Sequence, residues 1–228
     1  MQLGKISRRQ LFKGFGLTSG IAGLLSGSSI ARAVAGACGL TPPQTEGPFY
    51  PVKDQADKDS DLTIVRGATE RAKGQVIYVQ GKVTDEHCVP VSRALVEIWQ
   101  ACKSGRYNHP GDESGQPLDP NFQYWGKAVT DEQGKYTFKT ILPGHYQASP
   151  AWIRPPHIHY KVYARGFFDL TTQMYFAGNP YNEKDLILKA LPVEERQRVL
   201  VTLRDAGATF EPGSQWGTFD ITLRRVRG

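Results

Sequence analysis

Arg154-Pro155-Pro156-His157-Ile158-His159-Tyr160 sets two histidines two residues apart in an apolar, aromatic run that continues through Val162 and Tyr163. Such a run reads as a β-strand. On a strand, residues i and i+2 share a face. His157 and His159 therefore project together and can grip one ion. The bland alternative is a strand carrying two surface histidines. Two upstream tyrosines weigh against it: Tyr107 in Ser104-Gly105-Arg106-Tyr107-Asn108-His109, and Tyr146 in Leu142-Pro143-Gly144-His145-Tyr146.

Other strands flank this one. Gln75 to Thr84 is β-branched and aromatic, and Ala94 to Gln100 follows a turn at Glu86–Pro90. Lys127–Thr130 and Lys135–Phe138 are joined by Asp131-Glu132-Gln133-Gly134, which reads as a hairpin with glycine at the left-handed position. Leu170 to Phe176, Arg198 to Arg204 and Trp216 to Leu223 complete the strand set, with a short helix expected over Asn182 to Leu191. A long loop, Asn108 to Tyr124, carries Gly111, Gly115, Pro117 and Pro120; loops of that length are usually functional or mobile. Many short strands with little helix define an all-β protein, a β-sandwich with long active-site loops. There is no internal repeat. The chain divides into a leader (1–33), an irregular segment (34–74) and the sandwich (75–228). Within the irregular segment, Asp54 to Asp61 reads as a solvated surface linker, while the aromatics of Gly47–Pro51 pack on the domain.

The leader resembles a twin-arginine export signal: Ser7-Arg8-Arg9-Gln10-Leu11-Phe12-Lys13, a weakly apolar run, then Ala31-Arg32-Ala33. An ordinary secretory signal is the alternative. The run is too rich in Gly and Ser for a good membrane-spanning helix, so the expectation is a periplasmic protein with no stable membrane insertion. The chain's formal charge is +6, but five of its 28 basic residues and none of its 22 acids lie in 1–33. The remainder carries only +1, which removes any argument for nucleic-acid binding. Cys38 follows Ala35-Gly36-Ala37, so a lipid anchor there is a lesser alternative. Cys88 and Cys102 flank one strand and could form a disulfide in an oxidising compartment, which the sequence leaves open. No Cys-x-x-Cys pair supports a zinc ribbon.

If Tyr107, Tyr146, His157 and His159 converge, they offer two phenolates and two imidazoles. Zinc sites usually draw on Cys, His and carboxylate, and soft metals want thiolate. Phenolate suits a hard, highly charged cation, and ferric iron fits best; the ion supplies the energy to ionise tyrosines whose free pKa is about 10. Ferric iron with two tyrosinates and one hydroxide sums to zero charge. A catecholate dianion replacing one tyrosinate and the hydroxide keeps that sum, so a catechol enters without burying net charge. Arg154 can stabilise an anionic substrate, or form a surface ion pair. Gln173 can reach the same pocket as a hydrogen-bond donor. Trp152 and Tyr124 are candidate walls for an aromatic substrate, or core. His109 and His145 neighbour the tyrosines without being counted as ligands, and His87 is expected to be exposed in a turn.

Taken together, Gly-Pro-Phe-Tyr at 47–50, Ala-Leu-Val-Glu-Ile-Trp-Gln at 94–100, Gly-Arg-Tyr-x-His at 105–109, Leu-Asp-Pro-Asn-Phe at 118–122, Pro-Gly-x-Tyr at 143–146 and Arg-Pro-Pro-His-Ile-His at 154–159 resemble the intradiol ring-cleavage dioxygenases. Within them, the match is nearest to protocatechuate 3,4-dioxygenase β chains. The resemblance spans Thr41 to Leu223. It implies a prealbumin-like sandwich and a non-haem Fe(III) held by Tyr107, Tyr146, His157 and His159. It also implies that Tyr146 leaves the iron when substrate binds, that Arg154 stabilises the activated ring, and that Gln173 is an active-site glutamine. The implied reaction inserts both atoms of O2 into a catechol-type aromatic and opens it between the hydroxyl-bearing carbons to a cis,cis-muconate. A homo-oligomer mate or an α-like partner chain is what the resemblance leaves open. Three features depart from the family: a shorter Tyr146–Arg154 segment, a single chain, and an export leader. A non-catalytic exported β-sandwich binding module is the alternative function; it predicts loss of a ligand or of Arg154, and all five residues are present.

Overall fold

The computed structural model describes residues 38–55 and 57–226; the leader and the small-residue stretch before Cys38 lie outside them. The described residues form twelve strands. Strand β1 (Val76–Asp85) is the spine of one sheet, pairing antiparallel with β4 (Lys135–Ile141) on one side. On its other side lie β11 (Gln215–Thr218), which also pairs with β10 (Arg204–Asp205), and β12 (Ile221–Leu223). The second sheet runs β3 (Trp125–Val129), β2 (Leu95–Trp99), β7 (His157–Tyr163), β8 (Leu170–Phe176), β9 (Leu200–Val201).

Alternation explains the packing. Ile77, Val79, Val83 and Phe138 from the first sheet meet Val96, Ile98, Ile158, Tyr160, Val162 and Met174 from the second, and each is sealed from solvent. On β7 the intervening residues are His157 and His159. Since successive side chains point to opposite faces, the histidines stand on the outer face of the second sheet.

Residues 38–55 cover that outer face. Thr41 N–H donates to Thr222 O of β12 (3.1 Å), Gln44 N–H to Thr171 O (2.8 Å) and Tyr50 Oη to Glu97 Oε2 (3.0 Å). The segment thus starts on the first sheet, rounds the edge of β8 and lies across the second. We refer to it as the strap. Phe49 and Tyr50 of the expected aromatic portion do pack, within a small cluster containing Trp99, Tyr107 and Trp125.

The structure sets the cysteine pairing that the sequence left open, and three expectations are corrected. Cys88 bonds to Cys38, not to Cys102; Cys102 is free and buried, with its Sγ 3.2 Å from Ser104 Oγ. Cys38 and Cys88 meet because the strap starts beside the turn after β1, where Cys38 N–H donates to Glu86 O. A sulfur in that bond is not available for a lipid thioether. The turn at Asp131–Gly134 is not a sheet hairpin: β3 and β4 belong to different sheets, so it carries the chain across the sandwich. The stretch Lys58–Asp61 is not a free linker; it bonds to Lys127 N–H and Lys139 N–H at the same corner. The expected helix at Asn182–Leu191 is a 3-10 turn (Asn182–Lys184) and a single helical turn, α1 (Leu186–Ala190), broken at Asp185. A further short helix, α2 (Val193–Arg196), follows. Among the described residues no helix is long and apolar enough to cross a membrane.

Candidate active site

Register builds the site. On the outer face of the second sheet, His159 of β7 lies between Trp99 of β2 and Gln173 of β8, and His157 lies opposite Tyr175. The His159 ring stacks on Trp99 with centroids 4.7 Å apart. His157 Nδ1 is 2.7 Å from Pro155 O. A carbonyl only accepts, so Nδ1 carries the proton and Nε2 is left as a bare lone pair. That Nε2 lies 3.2 Å from His159 Nε2 and 3.3 Å from Tyr107 Oη.

The tyrosines arrive on loops outside the sheet. Tyr107 follows β2, and Tyr146 opens β5 (Tyr146–Ser149), which pairs with β6 (Trp152–Arg154). Pro150 marks the turn of this hairpin, but its strands are only four and three residues long, too short to read from sequence. Its register sets Tyr146 opposite Arg154. The two tyrosine loops cross at glycines: a Cβ on Gly105, at φ +84°, would lie 2.2 Å from His145 O, and one on Gly144 would lie 2.4 Å from Lys103 O. Gly105→Ala is expected to destabilise by about 2–4 kcal/mol, combining left-handed strain with overpacking, and to part the Tyr107 and Tyr146 rings, now 5.7 Å apart. A urea melt reads the first effect.

Burial dominates the electrostatics. It holds both phenols above their ordinary pKa, although Arg154 opposes it at each. It depresses both imidazoles well below theirs, with the Arg154 cation adding to the effect. All four groups are therefore neutral in the metal-free protein. Donors about 2 Å from a shared ion, at right or tetrahedral angles, lie roughly 2.9–3.4 Å apart. His157 Nε2 meets that spacing to both His159 Nε2 and Tyr107 Oη, so these donors fit a metal ion. Among the described residues no three of His, Cys, Asp and Glu gather as a metal site, so a metal here would have to draw on the tyrosines.

Arg154 is 2% exposed. Its Nε donates to Asp185 Oδ2 (2.8 Å), and its NH2 donates to Gln173 Oε1 (2.6 Å) and, more weakly, to Tyr175 Oη (3.5 Å). It is a buried ion pair, not a surface one. Gln173 does reach the site, but its Nε2 is taken by Thr45 O of the strap (2.8 Å), so as placed it bridges Arg154 to the strap. Trp152 lies beside the Arg154 guanidinium, 5.4 Å from ring centroid to Cζ. Tyr124 is core, its Oη accepting from Asp119 N–H (2.7 Å). His109 accepts from Gly111 N–H, exposed His145 packs on Tyr181, and His87 is exposed. Sequence reading alone misses Asp185 and Tyr175. Tyr175 was within reach, two residues after Gln173 on one strand face; nothing local marks Asp185 as a partner of an arginine 31 residues away.

Two imidazoles on an outer sheet face, two phenols carried over them on loops and a buried arginine beside them form a donor set of the kind that oxidoreductases use. The family model described as Dioxygenase matches residues 45–225, and the chain belongs to the intradiol ring-cleavage dioxygenases. It is 41% identical over 182 residues to the protocatechuate 3,4-dioxygenase β chain of Burkholderia cepacia, covering 78% of this chain and 76% of that one. It is 35% identical over 168 residues to catechol 1,2-dioxygenase 2 of Acinetobacter lwoffii, covering 66% of this chain but only 56% of the relative. Among solved structures, the dioxygenase domain of a dioxygenase–carbohydrate-binding fusion from Streptomyces sp. SirexAA-E superposes with TM-score 0.61 at 30% identity, covering 82% of this chain and 100% of that domain.

Proposed function

We propose that this chain is an exported dioxygenase that holds ferric iron through Tyr107, Tyr146, His157 and His159 and cleaves a protocatechuate-like catechol between its hydroxyl-bearing carbons. The observation that carries the reading is that His157 Nε2 lies 3.3 Å from Tyr107 Oη and 3.2 Å from His159 Nε2, with Tyr146 set opposite Arg154. When bound, the ion supplies Lewis acidity and a template for catecholate and O2. The chain's own residues do the rest. Pro155 O fixes the His157 tautomer, and Trp99 holds the His159 ring by stacking. Tyr146 is less buried than Tyr107, which is 3% exposed; it is the tyrosine with room to move, and, once ionised by a bound ion, its oxygen would take a proton from the incoming catechol. Arg154 stabilises the negative charge that develops on the ring. Phe49, stacked on Tyr107 at 4.7 Å, helps the strap exclude water.

The twin-arginine-like leader and the Cys38–Cys88 disulfide support an oxidising, exported location. The β-chain name of the Burkholderia relative raises an α-like partner. Turnover by the purified chain alone is nevertheless expected, because its own strap already covers the site.

A visible spectrum of the purified protein tests the reading, recorded before and after anaerobic protocatechuate. Ferric tyrosinate is expected to give a broad visible charge-transfer band that shifts with the catechol, and admitted oxygen is expected to consume it. A protein that stays colourless with added iron would overturn the assignment and leave a binding module as the better reading.

A further inference from the structure

Asp185 is a carboxylate held inside this site, and the proposed reaction does not use it. It is fully buried. Its two oxygens have separate tasks: Oδ1 accepts from Leu188 N–H (2.7 Å) and caps α1, while Oδ2 accepts from Arg154 Nε (2.8 Å). Arg154 is held from two sides. Nε is tied to Asp185, and NH2 to Gln173 Oε1 on the strand row that also carries His159. Tyr146, paired with Arg154 across the β5–β6 hairpin, lies beyond.

We infer that Asp185 is a positioning residue for ring cleavage, fixing Arg154 through Nε so that the remaining guanidinium N–H groups stay presented to the Gln173 and Tyr146 side of the reacting centre. This rests on the proposed function. The physical reason is the buried charge. A guanidinium cannot lose its proton, and a buried charge without a partner is strongly unfavourable. Deprived of Asp185, Arg154 turns to the nearest anion, which in the iron-loaded protein is a tyrosinate. Asp185 therefore both pairs the arginine and fixes the direction from which its free N–H groups meet the tyrosine across the hairpin.

The test is a double-mutant cycle on the full, iron-loaded chain, with Asp185→Asn, Arg154→Gln and the double variant. Asn caps a helix as well as Asp does, so Asp185→Asn removes the arginine pairing and leaves the cap. The expected result is a kcat loss on the order of 10- to 100-fold, a KM for protocatechuate within about twofold, unchanged iron content and a displaced visible band. In the Arg154→Gln background the same change is expected to cost almost nothing, because residues acting as a unit are not additive. An equal kcat loss in both backgrounds, or none in either, would overturn the inference while the proposed function stands. An inactive, colourless wild-type protein would sink the proposed function first. If Asp185→Asn accumulates poorly, thermal unfolding of the apo-proteins reads the same coupling: a Tm drop no larger in wild type than in Arg154→Gln sinks the inference.

Discussion

Tyr107→Phe is expected to lower ring-cleavage turnover on the order of 10³-fold, while costing the metal-free fold only about 1 kcal/mol. The two numbers come from different physics. The phenol makes one contact that folding uses, to His157 Nε2 at 3.3 Å, and a typical net hydrogen bond is worth about 1 kcal/mol. Its ring, stacked on Phe49 and edge-on to Tyr146, survives the change. An anionic oxygen on a ferric ion matters far more: Lewis-acid stabilisation is worth several kcal/mol, and roughly 4 kcal/mol is a factor of 10³. The measurements are iron content, the visible band, turnover of protocatechuate and a urea melt of the apo-protein. Weaker iron retention and a weaker band, with a near-native melt, are the expected combination. A Tyr107→Phe variant with full colour and turnover would remove Tyr107 from the centre. Loss of turnover in step with loss of fold would make it a core residue only.

Reduction of the Cys38–Cys88 bond is expected to destabilise the protein by about 4 kcal/mol, the loop-closure entropy for a separation of 50 residues. The loop it closes contains the strap and β1, so the expected effect is more than thermodynamic. Gln44, Thr45, Phe49 and Tyr50 reach the second sheet from a segment whose far end is stapled by Cys38. Without the staple, the strap frays from its N-terminal end first, and Gln173 loses Thr45 as a partner. Urea melts with and without reductant, together with KM and turnover, measure both consequences. Cys38→Ser is expected to behave like the reduced protein and to be indifferent to reductant. Cys102→Ser is expected to keep the full reductant response, since Cys102 pairs with no cysteine. A wild-type melt insensitive to reductant would overturn the pairing.

Much of this protein was legible because its information is local. Period-2 alternation in His157–Tyr163 by itself assigns Ile158, Tyr160 and Val162 to the core and His157 and His159 to the opposite face. The strand at Leu170–Phe176 is legible for the same reason, and it carries Gln173 and Tyr175 with it. The chemistry of two phenols and two imidazoles is likewise a property of residue types.

What tertiary structure alone decided is everything that depends on which segments meet. Two strands joined by a short turn at Asp131–Gly134 look like a hairpin, but burial of both apolar faces sends them to different sheets. Cys38 finds Cys88 because the strap must cross from β12 to the outer face of the second sheet, a path no spacing rule contains. Arg154 finds Asp185 because a charge carried into the interior must be met there by another. The sequence by itself determined the strands that carry His157, His159 and Gln173, the donor types on offer and the family. The pairing of its cysteines, the covering of its site and the partner of its arginine were set by the packing of segments far apart in the chain.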